Sequence, residues 1–365
     1  MDHPGRLRRL REQLRRNRLD SLLVTHLPNI RYLSGFTGSA GVLLLNERGG
    51  VLFVDGRYTA QARSEVKGAR VVAARKTPLL AAAEWLAKKG KRSRGQGTRV
   101  AGIEGEWLSV AAQKRLADAL PSGFRLRQAP PLVEKARMIK DGEEVERIRA
   151  AVLLGAGLFD TTLRTIHPGV REDEVAAEME YAARKAGAEA MSFETIIAAG
   201  ERSALPHGRA SEARIPSQGF VVCDFGVILA GYCSDMTRTV WVGRVTDEAR
   251  QTYEAVRAAQ QAGLDTIRPG ASVGEVDQAA RKSLQKSGLA RYFTHSTGHG
   301  VGLEIHEAPK VAAGQREVLV PGMVITIEPG IYIPGKWGIR VEDMAVVTET
   351  GCEVLTPTSK EFVAI

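Results

Sequence analysis

Four carboxylates and one imidazole are the residues of this sequence best placed to do chemistry. Asp224 ends an apolar run (Gly219-Phe220-Val221-Val222-Cys223), and Asp235 closes Gly231-Tyr232-Cys233-Ser234-Asp235. Folding the chain about Leu229-Ala230-Gly231 sets Asp224 opposite Asp235 on neighbouring strands. Carboxylates so placed repel, and they stay ionised only with something positive between them. A second hairpin repeats the arrangement. Residues 323–327 lead into Glu328-Pro329-Gly330, and residues 338–343 return after Pro334-Gly335-Lys336, so folding about residue 335 sets Glu328 opposite Glu342. Between the hairpins lies Thr297-Gly298-His299-Gly300-Val301-Gly302, whose alternate glycines let the backbone pass tightly under a packed site with His299 projecting. Either hairpin alone reads as a turn with acids at its ends. Together they supply an oxygen-rich ligand set with a single nitrogen, which suits Mn²⁺, Co²⁺ or Fe²⁺ better than structural zinc. Four negative charges balance two divalent cations and over-neutralise one, so the count points to a dinuclear centre.

The rest of the chain must position these groups. Its 365 residues suit two domains, and 44% apolar with 25% charged residues is ordinary for a globular core. Cys223, Cys233 and Cys352 cannot build a disulfide framework, the Arg-rich N-terminus has no apolar stretch of signal-peptide length behind it, and no apolar run reaches membrane-spanning length. The expectation is a soluble cytoplasmic protein. The net charge of +9 is unevenly spread: residues 1–130 carry 25 Lys/Arg against 10 Asp/Glu, and the remainder is acidic. That basic face reads as a solvated surface rather than a nucleic-acid site, since neither an aromatic RNA-binding pattern nor a zinc-finger spacing accompanies it.

Residues 1–130 alternate helix and strand. Leu7, Leu10 and Leu14 recur at helical spacing, residues 21–25 form a short apolar strand, and runs at 41–45 and 51–54 flank a turn composition. Helices are expected at 79–89 and 108–120, with a polar loop at 91–98. Pro130-Pro131 then breaks regular structure, which divides the chain into domains 1–130 and 131–365. Beyond it, Asp141 is placed to cap a long helix. Ile166-His167-Pro168-Gly169 with Glu174-Val175 is echoed 101 residues later by Ile267-Arg268-Pro269-Gly270 with Glu275-Val276. Two related halves, each a helix pair plus strands, explain that offset.

The segments GFVVCDFGVILAGYCSDMTRT, HSTGHGVGLEIHEAP and MVITIEPGIYIPGKWGIRVEDMAVVT resemble the pita-bread metallopeptidases, specifically the Xaa-Pro aminopeptidase and prolidase branch. Residues 30–66 are similar to the creatinase-type N-terminal domain that precedes that catalytic domain. The resemblance implies an α/β (α+β) protein: a pita-bread catalytic domain with pseudo-twofold halves behind a creatinase-type α/β domain. It implies two divalent metal ions, Mn²⁺ first and Co²⁺ or Fe²⁺ as alternatives. Asp224 would bind one ion through both oxygens, Asp235 and Glu342 would bridge the pair, and His299 and Glu328 would bind the second.

The activity implied is hydrolysis of the N-terminal Xaa-Pro bond of small peptides by a metal-bridging hydroxide, with Glu328 shuttling the proton. His207 and His306 would contact the substrate carbonyl and stabilise the oxyanion, while His295 and Arg340 would position the peptide beyond the scissile bond. Arg340 has a second expected role, as ion partner of Glu342 or Asp343. Cys223 and Cys233 are read as packing residues. An Xaa-Pro bond is a tertiary amide without an N–H, so its site needs an apolar wall, for which Tyr232 and Phe193 are candidates. The first reading is an Xaa-Pro aminopeptidase acting as a homodimer, and the alternative is an Xaa-Pro dipeptidase. A non-catalytic binding protein on the same fold ranks lower, because none of the five ligand positions is substituted.

Overall fold

The computed structural model describes residues 1–90 and 98–365, which form two compact units, Met1–Arg137 and Met138–Ile365. The expected loop at 91–98 lies outside the described residues, Thr98 excepted.

The first unit is built on a six-stranded mixed sheet. Its order is Ala69–Ala73, Gly49–Val54, Val42–Asn46, Ser21–Val24, Arg99–Ile103, Phe124–Gln128. The hairpin expected from the two apolar runs is present, closing at Asn46↔Gly49. Leu23, Leu44, Phe53 and Ala101 of the sheet pack against Ala82, Ala83 and Leu86 of the helix Pro78–Gly90 and Leu116 of Val110–Ala119. Glu104 substitutes for a missing cap. The residue before the helix Leu27–Ser34, His26, makes no capping bond through its side chain, and the Glu104 carboxylate accepts from the Thr25 and His26 amides at 2.6 and 2.8 Å.

The second unit contains the repeat in full. Asp141 forms a capping box with Glu144 at the start of the helix Gly142–Thr165. The helices Glu172–Lys185 and Val273–Lys286 sit at the 101-residue offset, and in each the third-position glutamate, Glu174 or Glu275, accepts from the N-cap amide, with Ser272 completing a capping box in the second. Gly169 and Gly270 have matching backbone, at φ +88° and +89°, and Gly187 and Gly288 end the paired helices at φ +100° and +70°. Each helix pair covers its own sheet. Leu158, Val175 and Met179 pack on Ile197, Val221 and Cys223 in the first half, and Leu264, Val273 and Val276 pack on Ile325 and Ala345 in the second. No described helix is long and apolar enough to cross a membrane.

The first acidic hairpin differs from the expected register. Ala230 and Gly231, at φ +49° and +81°, form a two-residue turn closed by Leu229↔Tyr232, the geometry of a type I′ hairpin. The ladder Gly219–Phe225 with Met236–Val242 therefore sets Asp224 opposite Thr237, not Asp235. Asp235 lies two residues from Thr237 on the same strand face, so the two aspartates become diagonal neighbours on one side of the sheet. In the second hairpin, Ile327↔Asp343 and Gly330↔Arg340 bracket Glu328 and Glu342 and leave them across from each other, as the spacing implied.

Candidate active site

The acids and the imidazole meet in one cavity of about 550 Å³ in the second unit, lined by Asp224, Asp235, His299, Glu328 and Glu342. One ligating atom each from Asp235, His299 and Glu342 lies within 4.8 Å of the others. His299 Nε2 stands 3.6 Å from Asp235 and 3.5 Å from Glu328.

His299 reaches this point because its strand, Gly298–Gly300, is pressed between two others. A Cβ on Gly298 would sit 1.9 Å from the Thr326 carbonyl oxygen, and one on Gly300 2.2 Å from that of Ala308. Only glycine fits either place. The Nδ1 of His299 faces the Gly300 carbonyl at 3.0 Å, and since a carbonyl only accepts, Nδ1 carries the ring hydrogen. Nε2 thus turns its lone pair into the space it shares with the carboxylates, where a cation would take both. Burial pulls the His299 pKa down to about 4, so the ring is neutral, the form that ligates metal.

The carboxylates carry the mark of a missing partner. Burial, reinforced by Glu342, Asp224 and Glu328, pushes Asp235 well above the usual carboxylate range, and burial with Glu328 and Asp224 does the same to Glu342. Burial also raises Glu328 to about 7. Asp224 Oδ1 and Glu342 Oε1 are buried without a hydrogen-bond partner. Bare buried carboxylate oxygens are costly, and a divalent cation answers both the orphaned oxygens and the crowded charge. The donor set fits such an ion.

Arg340 and Tyr332 brace the opposite wall. Arg340 donates to Asp224 Oδ2, to the Tyr332 hydroxyl, to Thr237 Oγ1 at 3.1 Å and to the Pro206 carbonyl at 3.1 Å. Its ion partner is therefore Asp224, while Asp343 pairs with Arg238 and Lys360 at 2.7 and 2.9 Å. Burial alone would weaken the Arg340 charge, but Tyr332, Asp224, Glu328 and Glu342 raise its pKa above the ordinary guanidinium value. Because Arg340 only donates, the Tyr332 hydrogen goes to His295 Nε2 at 3.0 Å. The other nitrogen of His295, Nδ1, gives its hydrogen to the Ser296 carbonyl at 2.8 Å. Both ring nitrogens of His295 are thus engaged within the protein, and burial, with Arg340, holds its pKa near 4.

His207 and His306 line the same cavity from exposed loop positions. The His306 ring packs edge-to-face on His299 with centroids 4.4 Å apart. The Arg340 bond to Pro206 fixes the turn that carries His207. Phe193 lines the cavity, whereas Tyr232 is buried with its hydroxyl on Glu144 at 2.8 Å and does not. Cys223 and Cys233 are buried, and burial keeps both thiols protonated, Cys233 at about 12.

Five contributors escaped sequence reasoning. Thr237 donates to Glu342 Oε2 at 2.7 Å; its place two residues after Asp235 was the available signal. Tyr332, four residues after Glu328, gave only a spacing. Lys310 lines the cavity as the strand partner of His299. The pair Lys140–Glu307 stands 3.4 Å apart with side chains 1% and 6% exposed, and Glu307 also accepts from the Glu304 amide at 3.0 Å. That carboxylate organises the loop bearing His306, and a separation of 167 residues hides the pair from sequence inspection.

Residues 146–349 match the model of metallopeptidase family M24, and residues 6–139 match the creatinase/prolidase N-terminal domain. An Xaa-Pro dipeptidase of Pyrococcus furiosus is 37% identical over 98% of this chain and 99% of its own. The solved structure of an Xaa-Pro dipeptidase from Bacillus anthracis superposes with a TM-score of 0.94 at 38% identity, covering both chains in full. That of an X-Pro aminopeptidase from Thermotoga maritima gives 0.88 at 34%, covering 99% of this chain and 100% of that one.

Proposed function

This chain belongs to metallopeptidase family M24, and we propose that it is an Xaa-Pro dipeptidase. The observation that carries the metallopeptidase chemistry is the convergence of Asp235, His299 and Glu342 to within 4.8 Å beside two orphaned carboxylate oxygens. The aminopeptidase reading came first from the sequence. The names of the relatives at 37% and 38% identity favour dipeptide cleavage instead, and the aminopeptidase of Thermotoga maritima is the reason to keep the first as a rival. Lys310 adds support, since a cation lining the cavity suits the carboxylate that a dipeptide presents immediately after its proline.

We assign Asp224, Asp235, His299, Glu328 and Glu342 to holding a pair of divalent cations, Mn²⁺ first, with Co²⁺ or Fe²⁺ as alternatives. Bound there, such cations acidify water and polarise the scissile carbonyl. Glu328 takes a proton from the attacking water on its carboxylate and delivers it to the departing proline nitrogen. His207 and His306 stabilise the oxygen on which negative charge develops. Arg340 fixes Asp224 and the His207 turn in place. His295, with both nitrogens engaged, acts by orienting Tyr332 and through it Arg340, rather than by bonding the peptide itself. Phe193 contributes apolar wall for the pyrrolidine ring. We further assign a cytoplasmic location and a homodimeric state to the protein.

Turnover of Ala-Pro and Ala-Pro-Ala by Mn²⁺-loaded protein tests the substrate assignment. Cleavage of the dipeptide alone is expected, and cleavage of the tripeptide alone returns the aminopeptidase reading. Glu328→Gln is expected to abolish turnover while leaving the unfolding midpoint of the metal-free protein within a few degrees. Near-normal activity in that variant overturns its proton role.

A further inference from the structure

We propose that the N-terminal unit binds a phosphorylated small molecule in a cavity of its own, independently of the peptidase reading. The cavity measures about 680 Å³ and lies at the end of the helix His3–Arg16. That volume falls in the range of small-ligand pockets. Its charged lining consists of Arg11, Arg15, Arg18, Arg48 and Arg99 against Asp20 and Glu47, with Trp85 and Phe124 as aromatic walls.

The two acids do little to neutralise the arginines. Asp20 accepts the Val100 amide at 2.7 Å, and Glu47 lies 3.9 Å from Arg48. Among the described residues, Arg11 donates to the Glu47 carbonyl at 3.4 Å. Among the described residues, Arg15 and Arg18 stand within ion-pair distance of no carboxylate. The exposed Arg15 and Arg18 thus line one concavity without a carboxylate partner among the described residues, beside Arg48, whose charge is shared with Glu47. Guanidinium forks match phosphate oxygens in geometry as well as in sign.

Arg18 strengthens the case. It follows the helix end in the left-handed conformation, φ +52°, and the turn is closed by the Leu19 amide on the Leu14 carbonyl at 2.9 Å. Glycine is the residue that this position favours. An arginine held there against its backbone preference, with its side chain lining a cationic cavity, is placed for a ligand. A concave pocket of this size holds one small anion, whereas single-stranded nucleic acid is tracked along an extended groove. Trp85 lines the cavity, and an aromatic ring there is what a nucleobase would meet, so the two sources of the phosphate chemistry are a free polyphosphate and a nucleotide.

Calorimetric titration of the full-length protein with ADP and, separately, with inorganic tripolyphosphate at low salt tests the proposal. One-to-one saturable binding of either is expected, weakening as salt rises. ADP that binds more tightly and quenches fluorescence lost in Trp85→Phe identifies the nucleotide source; equal binding of tripolyphosphate without quenching identifies the polyphosphate. Arg15→Ser and Arg18→Gly should each lower affinity about tenfold or more. Arg18→Gly should at the same time raise the unfolding midpoint, because the strained backbone relaxes. Tighter folding with weaker binding separates a ligand role from a structural one. The proposal falls if neither anion binds at millimolar concentration, if both variants bind as the parent does, or if only long RNA binds and without defined stoichiometry.

Discussion

Glu342→Gln removes one charge from the crowded cluster and keeps its shape, and it should stabilise the metal-free protein while abolishing the response to metal. Two unit charges no more than 4.8 Å apart in a medium of effective dielectric constant ~20 repel by at least about 3.5 kcal/mol. Part of that repulsion is already relieved, because Asp235 and Glu342 both take up protons more readily than ordinary carboxylates. A gain of about 1–2 kcal/mol remains. The amide also gives the orphaned Oε1 position a hydrogen-bonding group, and Thr237 retains an acceptor. For a unit of about 230 residues, roughly 2–4 °C per kcal/mol puts the chelator-treated variant about 2–8 °C above the parent. Mn²⁺ at a hundred times its dissociation constant should stabilise the parent by about 2.7 kcal/mol, hence by about 5–11 °C. The variant should lose most of that increment. Differential scanning fluorimetry with EDTA and with Mn²⁺ measures all four midpoints. A variant that melts below the parent in EDTA yet gains as much from Mn²⁺ would refute the reasoning outright.

Other perturbations address separate parts of the molecule. Lys310→Ala should raise KM for Ala-Pro at least tenfold and affect Ala-Pro-Ala much less; equal effects on both peptides remove Lys310 from carboxylate recognition. Lys140→Met removes the buried cation beside Glu307, so urea melts should show a loss of about 3 kcal/mol and kcat should fall with KM little changed, with partial recovery in Lys140→Arg. His3 is buried with Nδ1 on the Tyr32 carbonyl at 3.0 Å, and burial lowers its pKa below 6.5. Its neutral form favours the folded state, so its contribution is complete above pH 6.5 and is lost as pH falls through the lowered value. His3→Asn, which keeps a donor near Nδ1, should flatten the fall in melting temperature between pH 7.5 and 5 that the parent displays; an unchanged slope assigns the effect elsewhere.

The ligand positions were legible because carboxylates at the ends of apolar runs, separated by turn residues, leave few ways to fold. The glycines around His299 were legible for the same reason, as a Cβ at either would strike a neighbouring backbone. The pairing of Asp224 was not. A turn at Ala230-Gly231 with both residues in the left-handed region differs by one residue in its centre from the turn expected, and that moves each strand partner by two. Asp224 and Asp235 still share a face, since a shift of two preserves side-chain direction. Arg340 was expected on Glu342 or Asp343, but Asp343, three residues on, points to the other face, and on the shared face Thr237 stands between Arg340 and Glu342 while the guanidinium crosses to Asp224. Contacts such as Lys140 with Glu307 join residues 167 positions apart and leave no local trace. The repeat, by contrast, extends beyond the short echo that betrayed it, through helix bounds, the glutamates that accept from the N-cap amides and glycine backbone angles alike.

The one-way hydrogen-bond chain from Arg340 through Tyr332 to His295 bears on inhibitor design. A compound that seeks a contact with the His295 ring nitrogen must first unseat a phenol whose own proton has nowhere else to go, and in doing so loosens the guanidinium that braces Asp224. Scaffolds that reach for His207 and His306 meet no such toll, and those two exposed rings are the better handles for a tight, reversible blocker.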